Sequence, residues 1–321
     1  MEVIQSLNNS LAENAVATIG TFDGVHVGHQ KIIERLVKTA KEDQLKSTVL
    51  TFFPHPRMVL QKDANIKLIN TIDERCKLLE AQGLDYLVIK PFTKDFSRLT
   101  AEEFVSTILV EQLHVKKIII GYDHHFGRNR TANIKDLIHF GEAYDFEVEE
   151  ISAQDINDVS VSSTKIRKAL IEGDIKTANL FLGYHFMLNG KVVKGKGLGA
   201  NLSFPTANIF IEEPYKLIPK QGVYLVQSKI ENQLVYGMMN IGVNPTVNGS
   251  KQTIEVHFFD FEKDLYGEQI VIEMLTRLRD EHKFENVEAF KKSLEDQSSQ
   301  NSKELEEVKK AFEDLNNINT L

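Results

Sequence analysis

Two histidines three residues apart form the strongest chemical motif in the sequence. They lie in the segment Gly20-Thr-Phe-Asp-Gly-Val-His-Val-Gly-His29, between a β-branched run and an amphipathic segment of helical period. At a helix start, this spacing lets His26 and His29 lie on one face and donate hydrogen bonds to phosphate oxygens. The strand before and the helix after favour nucleotidylyl transfer over a surface or helix-capping role. The glycines that would let the backbone approach a phosphate closely are Gly20, Gly24 and Gly28.

A second polar element, Val161-Ser-Ser-Thr-Lys-Ile-Arg167, opens another predicted helix. Its hydroxyls can cap that helix while Lys165 and Arg167 reach phosphates. An ordinary helix cap with solvated cations explains the same residues. The hydroxyl residues are Ser162, Ser163 and Thr164.

Two loops that contain histidines, Thr51–Pro56 and Gly121–Gly127, each follow a predicted strand. In a parallel sheet both loops lie at the carboxyl edge and could line a ligand cleft. His55 and His124 could equally be structural loop residues. Neither loop has a spacing that strongly indicates zinc.

A glycine- and lysine-rich turn, Gly190–Gly199, suits backbone and ammonium contacts to phosphates, although such turns are common between strands. Downstream, Thr206 and Asn208 alternate onto one face of an extended segment. Their neutral oxygens could hold a magnesium ion that carries ATP, and a polar strand edge is the alternative.

Glu255 lies in a segment with the alternating period of a strand, Thr253–Asp260. Glu255 and His257 share one face of that strand, opposite an apolar face. We expect the carboxylate on the inner face of a barrel, where it could act as a general base near a nucleotide. An exposed strand residue is the alternative.

The elements that must position these residues are of two kinds. Up to Leu182, short β-branched runs alternate with longer segments of helical period, which is typical of a parallel α/β domain. Ligands of such sheets bind beyond the carboxyl ends of the strands. The predicted strands are Ala15–Ile19, Thr48–Phe53, Tyr86–Ile89, Val115–Ile120 and Phe146–Ile151.

After Leu182 the pattern changes to alternating strands separated by Gly, Pro and Asn turns, which indicates an antiparallel barrel. The stretch 287–316 predicts a terminal helix that packs on the outside of this barrel. We therefore predict domains at residues 1–182 and 183–321.

Composition limits the class of protein. A chain of 321 residues is long enough for about two domains, and its single cysteine, Cys76, excludes an intramolecular disulfide and fits the cytoplasm. No segment has the pattern of a signal peptide or of a membrane span. The net charge of −8 argues against nucleic acid and anionic membrane as partners and favours small nucleotides.

Four motifs in order give the first part a family resemblance. Segments 20–29, 54–56, 121–127 and 162–167 resemble the adenylyltransferase half of bacterial bifunctional riboflavin kinase/FAD synthetases. The resemblance implies in-line attack of an FMN phosphate oxygen on the ATP α-phosphorus, with magnesium neutralising charge and pyrophosphate leaving. The ATP-binding residues that it implies are Gly20, Phe22, His26, Gly28, His29, Ser163, Thr164 and Arg167. The flavin-binding residues that it implies are Asp23, Pro54, Asp123 and Phe126.

The part from Pro205 to Phe284 resembles the riboflavin kinase barrel. The resemblance implies that Glu255 deprotonates the riboflavin 5′-hydroxyl and that Arg279 lies beside the flavin. It also implies that Thr206 and Asn208 hold magnesium and ATP. The turn glycines expected to contact ATP are Gly195 and Gly197.

The chain departs from the family pattern in two loops. His124 stands where Phe is common, and Ala132-Asn133 replaces a usual Gly-Asp pair. In the barrel turn, Ala200 and Ser203 stand where Arg and Gly are frequent, a change that Lys194 and Lys196 could offset.

Together these patterns predict a Rossmann-like nucleotidylyltransferase domain with a parallel sheet, followed by an antiparallel β-barrel riboflavin kinase domain. The predicted enzyme phosphorylates riboflavin to FMN and adenylylates FMN to FAD, with ATP and magnesium. One alternative is a nucleotidylyltransferase for another small phosphate, which the barrel disfavours. The other is a flavin-binding carrier that has lost catalysis, which the intact His26, His29 and Glu255 disfavour.

Overall fold

The computed structural model describes residues 1–5, 11–61, 66–121, 125–152, 161–195, 206–246, 249–261 and 263–281. The chain divides into two compact units, Met1–Ser163 and Thr164–Leu321. Residues 164–182 thus belong to the second compact unit, but this division says nothing about which residues serve each activity. The domain boundary predicted after Leu182 therefore stays a prediction.

The first unit is built on a six-stranded sheet with the order β1-β4-β3-β2-β5-β6, in which every pair is parallel. This confirms the predicted parallel α/β domain. The short edge strand β1 is an addition to the prediction, because three residues are too few to show a period. The strands are β1 (Glu2–Ile4), β2 (Ala15–Ile19), β3 (Lys46–Phe53), β4 (Tyr86–Pro91), β5 (Val115–Gly121) and β6 (Glu147–Ile151).

Helices cover both faces of this sheet, as a buried parallel sheet requires. On one face of the sheet, Ile33, Leu36 and Ala40 of α1 share a core cluster with α3. A second core cluster contains α4 and α5 and no residue of α1. The helices of the first unit are α1 (Val27–Glu42), α2 (Pro56–Leu60), α3 (Ile72–Ala81), α4 (Ala101–Phe104, continued by a π-helix at Val105–Gln112) and α5 (Ile134–Tyr144). From Thr164 onward, α6 (Ser163–Glu172) and α7 (Ile175–Leu182) belong to the second unit.

The second unit contains a closed barrel with the order β10-β11-β8-β7-β12-β9, antiparallel at every pair. This confirms the predicted barrel. Tyr224, Met239 and Val256 lie in one cross-strand row, are fully buried, and belong to its interior. The strands are β7 (Met187–Val193), β8 (Ala207–Phe210), β9 (Gly222–Ile230), β10 (Gln233–Thr246), β11 (Gly249–Phe258) and β12 (Gln269–Arg279).

Helix α7 is fastened to the barrel by one buried amide. Asn179 Nδ2 donates to the Met274 carbonyl at 2.8 Å, and Asn179 Oδ1 accepts from the Phe186 N–H at 2.8 Å. The terminal helix predicted at 287–316 lies outside the described residues. Within the described part of the chain, no helix is both long and apolar enough to cross a membrane.

Candidate active sites

The turn between β2 and α1 has an unusual backbone. Phe22, Gly24 and Val25 all have positive φ, at 46°, 90° and 34°. Positive φ is ordinary for glycine but costly for Phe and for β-branched Val. Gln30, in α1, braces the turn by donating from Nε2 to the Val25 carbonyl at 2.8 Å. The turn is therefore a shaped element held in place by its neighbours.

The two histidines that follow this turn are stacked on each other. The ring centroids of His26 and His29 are 3.6 Å apart with an interplanar angle of 14°. His26 is the N-cap of α1, and its Nδ1 accepts from the His29 N–H at 3.3 Å. Since Nδ1 accepts, the proton of neutral His26 is on Nε2, which is the nitrogen left to donate to a ligand.

Burial keeps both histidines uncharged at neutral pH. It lowers the pKa of His26 to about 4, against smaller opposing effects of its backbone hydrogen bond and Asp23. Burial also lowers the pKa of His29 well below its usual value, and His26 and Arg75 lower it further. The pair can therefore offer N–H donors to phosphate, but the positive charge that a triphosphate needs must come from elsewhere.

Asp23 is fully buried beneath the same turn. Its carboxylate accepts from the backbone N–H groups of Ile69 and Asn70, at 3.0 and 3.2 Å for Oδ1. The Ser163 hydroxyl, at the start of α6, donates to the Asp23 carbonyl at 2.8 Å. The carboxylate faces the interior of the unit, so a flavin contact from Asp23 would have to come from its backbone.

The other predicted residues of the first unit lie near the carboxyl edge of the sheet. Pro54 is exposed immediately after β3, and His55 caps α2 by accepting from the Arg57 N–H at 3.2 Å. Phe126 is a core residue that forms a β-bridge with Ala132. Asp123 and His124 lie outside the described residues.

The departure at Ala132-Asn133 has a structural role. Asn133 is the N-cap of α5, where its Oδ1 accepts from the Lys135 N–H at 2.8 Å. The Asp136 carboxylate completes a capping box by accepting from the Asn133 N–H at 2.8 Å. Asn133 therefore provides a complete N-cap for α5.

Sequence reasoning missed an aromatic cluster at this edge. Its neighbouring ring centroids lie between 5.5 and 6.1 Å apart, in tilted or edge-to-face geometry. The signal in the sequence is a phenylalanine near the carboxyl end of β3, another directly after β4, and a third in the loop that follows β5. The cluster consists of Phe52, Phe92, Phe96, Phe104 and Phe126.

The second candidate site follows one row of paired residues across the barrel. Asn208 pairs with Glu255, which pairs with Asn240 on the next strand. Asn240 pairs with Val223, and Val223 pairs with Arg279. The structure therefore brings together three residues predicted from separate motifs and adds Asn240. Directly opposed antiparallel residues have Cβ atoms about 5 Å apart, so adjacent members of the row can share a ligand.

The expectation that Glu255 faces the barrel interior is wrong. Ile254, Val256 and Phe258, its neighbours of opposite parity, are buried and fill the interior. Successive side chains of a strand point to opposite faces, so Glu255 lies on the outer face. There it is half-buried and open to a substrate from outside the barrel.

Gly195 lies against the amide of Asn208. A Cβ added at Gly195 would be 2.1 Å from Asn208 Nδ2, so a larger residue there must displace the Asn208 amide or the turn. Thr206 and Asn208 are both half-buried, and Gly197 lies outside the described residues. Asn208 lies opposite Glu255, and the neutral side-chain oxygens of Thr206 and Asn208 are of the hard type that magnesium takes together with phosphate and water. Among the described residues, no cluster of three or more His, Cys, Asp or Glu could hold a metal alone.

Arg279 ends β12 within a charged cluster. Its Nη1 donates to the Asp280 carbonyl at 3.1 Å, and burial lowers its pKa. Arg277 donates to the Asp280 carboxylate at 2.6 Å, and the Glu281 carboxylate accepts from Asn240 Nδ2 at 3.4 Å. The end of β12 is thereby linked to the row that contains Glu255.

Comparison with known protein families separates the two parts of the chain. Residues 8–165 match the FAD synthetase family, and residues 182–305 match the riboflavin kinase family. Each match contains one of the two candidate sites.

Individual relatives extend the similarity over nearly the whole chain. The bifunctional riboflavin kinase/FMN adenylyltransferase of Buchnera aphidicola subsp. Acyrthosiphon pisum (strain APS) is 36% identical over 305 residues, which covers 94% of this chain and 96% of the relative. The protein of the same name from Escherichia coli (strain K12) is 33% identical, with 91% and 93% covered. A crystal structure described as a macrolide-efflux protein from Streptococcus pneumoniae is 31% identical, has a TM-score of 0.84, and covers 93% of this chain and 97% of that one.

Proposed function

The chain belongs to the bifunctional riboflavin kinase/FMN adenylyltransferase family, and on that premise we propose how its residues divide the two reactions. It is a kinase that converts riboflavin to FMN and a nucleotidyltransferase that converts FMN to FAD. The observation that supports the division is that the stacked histidines lie within the FAD synthetase match and the Glu255 row lies within the riboflavin kinase match.

In adenylyl transfer, an FMN phosphate oxygen attacks the α-phosphorus of ATP, the α–β phosphoanhydride bond breaks, and pyrophosphate leaves. His26 and His29 donate hydrogen bonds from neutral imidazoles to the phosphate oxygens. The N-terminus of α1 adds its unpaired backbone N–H groups. Because the histidines carry no charge, Arg167 supplies a permanent positive charge to the nucleotide. The other residues assigned to the nucleotide are Gly20, Phe22, Gly28, Ser163 and Thr164.

In phosphoryl transfer, Glu255 accepts the proton of the riboflavin 5′-hydroxyl. The oxygen then attacks the γ-phosphorus of ATP, and ADP leaves. Thr206 and Asn208 would hold magnesium, which neutralises phosphate charge when bound. Gly195 and Gly197 are assigned to the phosphates of ATP.

The flavin rings are assigned to two places. In the first unit, Pro54, Asp123 and Phe126 border the isoalloxazine, and the half-buried phenylalanines Phe52, Phe92 and Phe96 supply an apolar surface. In the second unit, Arg279 lies beside the flavin. A cytoplasmic location and the absence of nucleic acid and membrane partners stay predictions from Cys76 and the net charge of −8.

The test is a time course of the full-length protein with riboflavin, ATP and magnesium, with the flavins separated by chromatography. Wild type should produce FMN and then FAD. Glu255→Ala should abolish FMN formation but still convert added FMN to FAD, whereas His29→Ala should accumulate FMN. Equal loss of both activities in either variant would contradict two independent sites.

A further inference from the structure

Arg75, on α3, is a buried cation for which the reactions above have no direct use. Its guanidinium is about as inaccessible as the carboxylate it faces, with side-chain exposures of 1% for Arg75 and 0% for Asp23. Arg75 Nη2 lies 3.6 Å from Asp23 Oδ1. Burying two charges is costly, and the attraction between them offsets that cost only where further hydrogen bonds satisfy both groups.

The pair joins three separate chain segments. Through Asp23 it reaches the segment before α3, because the carboxylate accepts from the Ile69 and Asn70 N–H groups. Through Arg75 it reaches the end of β3, since Nη1 lies 3.5 Å from Thr51 Oγ1. All of these groups are buried, so water does not compete for them.

The network also reaches back to the histidine-bearing turn. Thr51 Oγ1 donates to the Thr21 carbonyl at 3.2 Å, directly before the positive-φ residues Phe22, Gly24 and Val25. Asp23 itself lies between these residues. A strained backbone persists only where its surroundings determine it, and the bonds of Asp23 fix this turn at its centre.

His26 directly follows this turn, so the position of its ring depends on where the turn ends. The ring of His29 stacks on that of His26, so its position depends on the same turn. Arg75 is also close enough to His29 to contribute to lowering the pKa of that imidazole, after burial and His26. A shift in the Asp23–Arg75 pair would therefore move both phosphate donors together.

We propose that Asp23 and Arg75 form a positioning pair for adenylyl transfer, which holds the strained turn so that His26 and His29 meet the reacting phosphates. Neither side chain touches substrate in this role. The proposal rests on the function proposed above for the two histidines.

The test measures both activities of full-length Arg75→Met. The kcat of FAD formation from FMN should fall at least tenfold while the KM for ATP changes less than threefold, because misplaced donors weaken the transition state more than ground-state binding. Riboflavin phosphorylation in the same preparation should be unchanged. Adenylyl transfer within twofold of wild type would overturn the proposal.

Arg35→Met is the matched control. Arg35, in α1, also pairs with a carboxylate, at 2.6 Å between its Nε and Glu149 Oε1, but on a partly exposed surface. Both activities should stay within twofold of wild type, and an equal loss in the two arginine variants would overturn a specific role for Arg75. Full FAD formation in His29→Ala would instead refute the assigned histidines, which separates the two failures.

Two further variants test the pair itself. Asp23→Asn/Arg75→Met should be at least threefold more active than Arg75→Met, because the double variant leaves no uncompensated buried carboxylate. No recovery would overturn the proposal. If Arg75→Met does not give a cooperatively folded protein, Arg75→Lys replaces it. Lysine keeps the positive charge but lacks the planar guanidinium with its several donors, so the kcat of adenylyl transfer should fall three- to tenfold. Wild-type transfer in Arg75→Lys would overturn the role of the guanidinium.

Discussion

Asn208 and Glu255 lie directly opposite each other on the neighbouring antiparallel strands β8 and β11. The pairing places an amide oxygen and a carboxylate on the same outer face of the barrel. A phosphate held by one residue is thus within reach of a hydroxyl held by the other. This relationship makes the row a candidate for phosphoryl transfer, and the next two predictions depend on it.

Asn208→Ala should lower kcat/KM for riboflavin phosphorylation about tenfold or more and raise the magnesium concentration needed for half-maximal rate. The reason is that the variant removes a proposed oxygen ligand while leaving the Glu255 carboxylate. Initial rates across a magnesium titration measure the effect. Asn189→Ala is the control, since Asn189 lies on β7 outside the row that contains Glu255 and is not assigned to ATP or magnesium. An unchanged magnesium dependence in Asn208→Ala would argue against the ligand role.

Gly195→Ala should impair the kinase without impairing the adenylyltransferase. The added methyl would meet the Asn208 amide at 2.1 Å and must displace either the turn or the amide. Comparison of the two rates in one preparation tests this. Gly267→Ala is the control within the same unit: its φ of +87° makes alanine costly to stability, but the added methyl meets nothing within 4 Å, so the folded variant should keep its kinase activity. Wild-type phosphorylation by Gly195→Ala would show that the Asn208 amide need not stay where the structure has it.

Acid should destabilise the first unit through its buried histidines. Burial lowers the pKa of His26 to about 4, whereas an unfolded histidine titrates near 6.5. The unfolded chain therefore takes up the proton first, so this contribution to stability is complete above pH 6.5 and is lost as the pH falls towards 4. It amounts to about 3 kcal/mol at most.

Urea denaturation of wild type and His26→Gln at pH 7.5 and 5.0 measures that loss. The variant should lose less of its free energy of unfolding between the two pH values, because glutamine does not titrate. Part of the dependence should remain, since the pKa of His29 is lowered as well. Identical pH dependence in the two proteins would mean that His26 is not buried as described.

Asn179→Ala should destabilise the second unit by about 2 to 4 kcal/mol, because it leaves the Phe186 N–H and the Met274 carbonyl unsatisfied at a buried site. Thermal unfolding and the remaining kinase activity at low temperature measure the change. Asn189→Ala should cost clearly less, because Asn189 is only half-buried and its amide oxygen accepts from the Gln269 side chain. A similar small effect in both variants would show that α7 is not fastened through Asn179.

The sequence determined the two kinds of domain, the order of the elements and the residues that can do chemistry. Hydrophobic period is a local property, so β2, α1 and the alternating faces of β11 could be read directly from it. The motif around His26 and the one around Glu255 each lie within a short stretch of chain, where residue type and spacing already indicate their chemistry.

Only the tertiary structure decided which face of β11 is interior and what surrounds each motif. Alternation shows that Glu255 and Ile254 point opposite ways, but the outer position of Glu255 follows from barrel closure. Arg279 joins the row of Glu255 through strand pairing. Arg75, on helix α3, pairs with Asp23 in the turn between β2 and α1. Such contacts join residues far apart in the chain, and the strand register and packing that create them are properties of the whole fold.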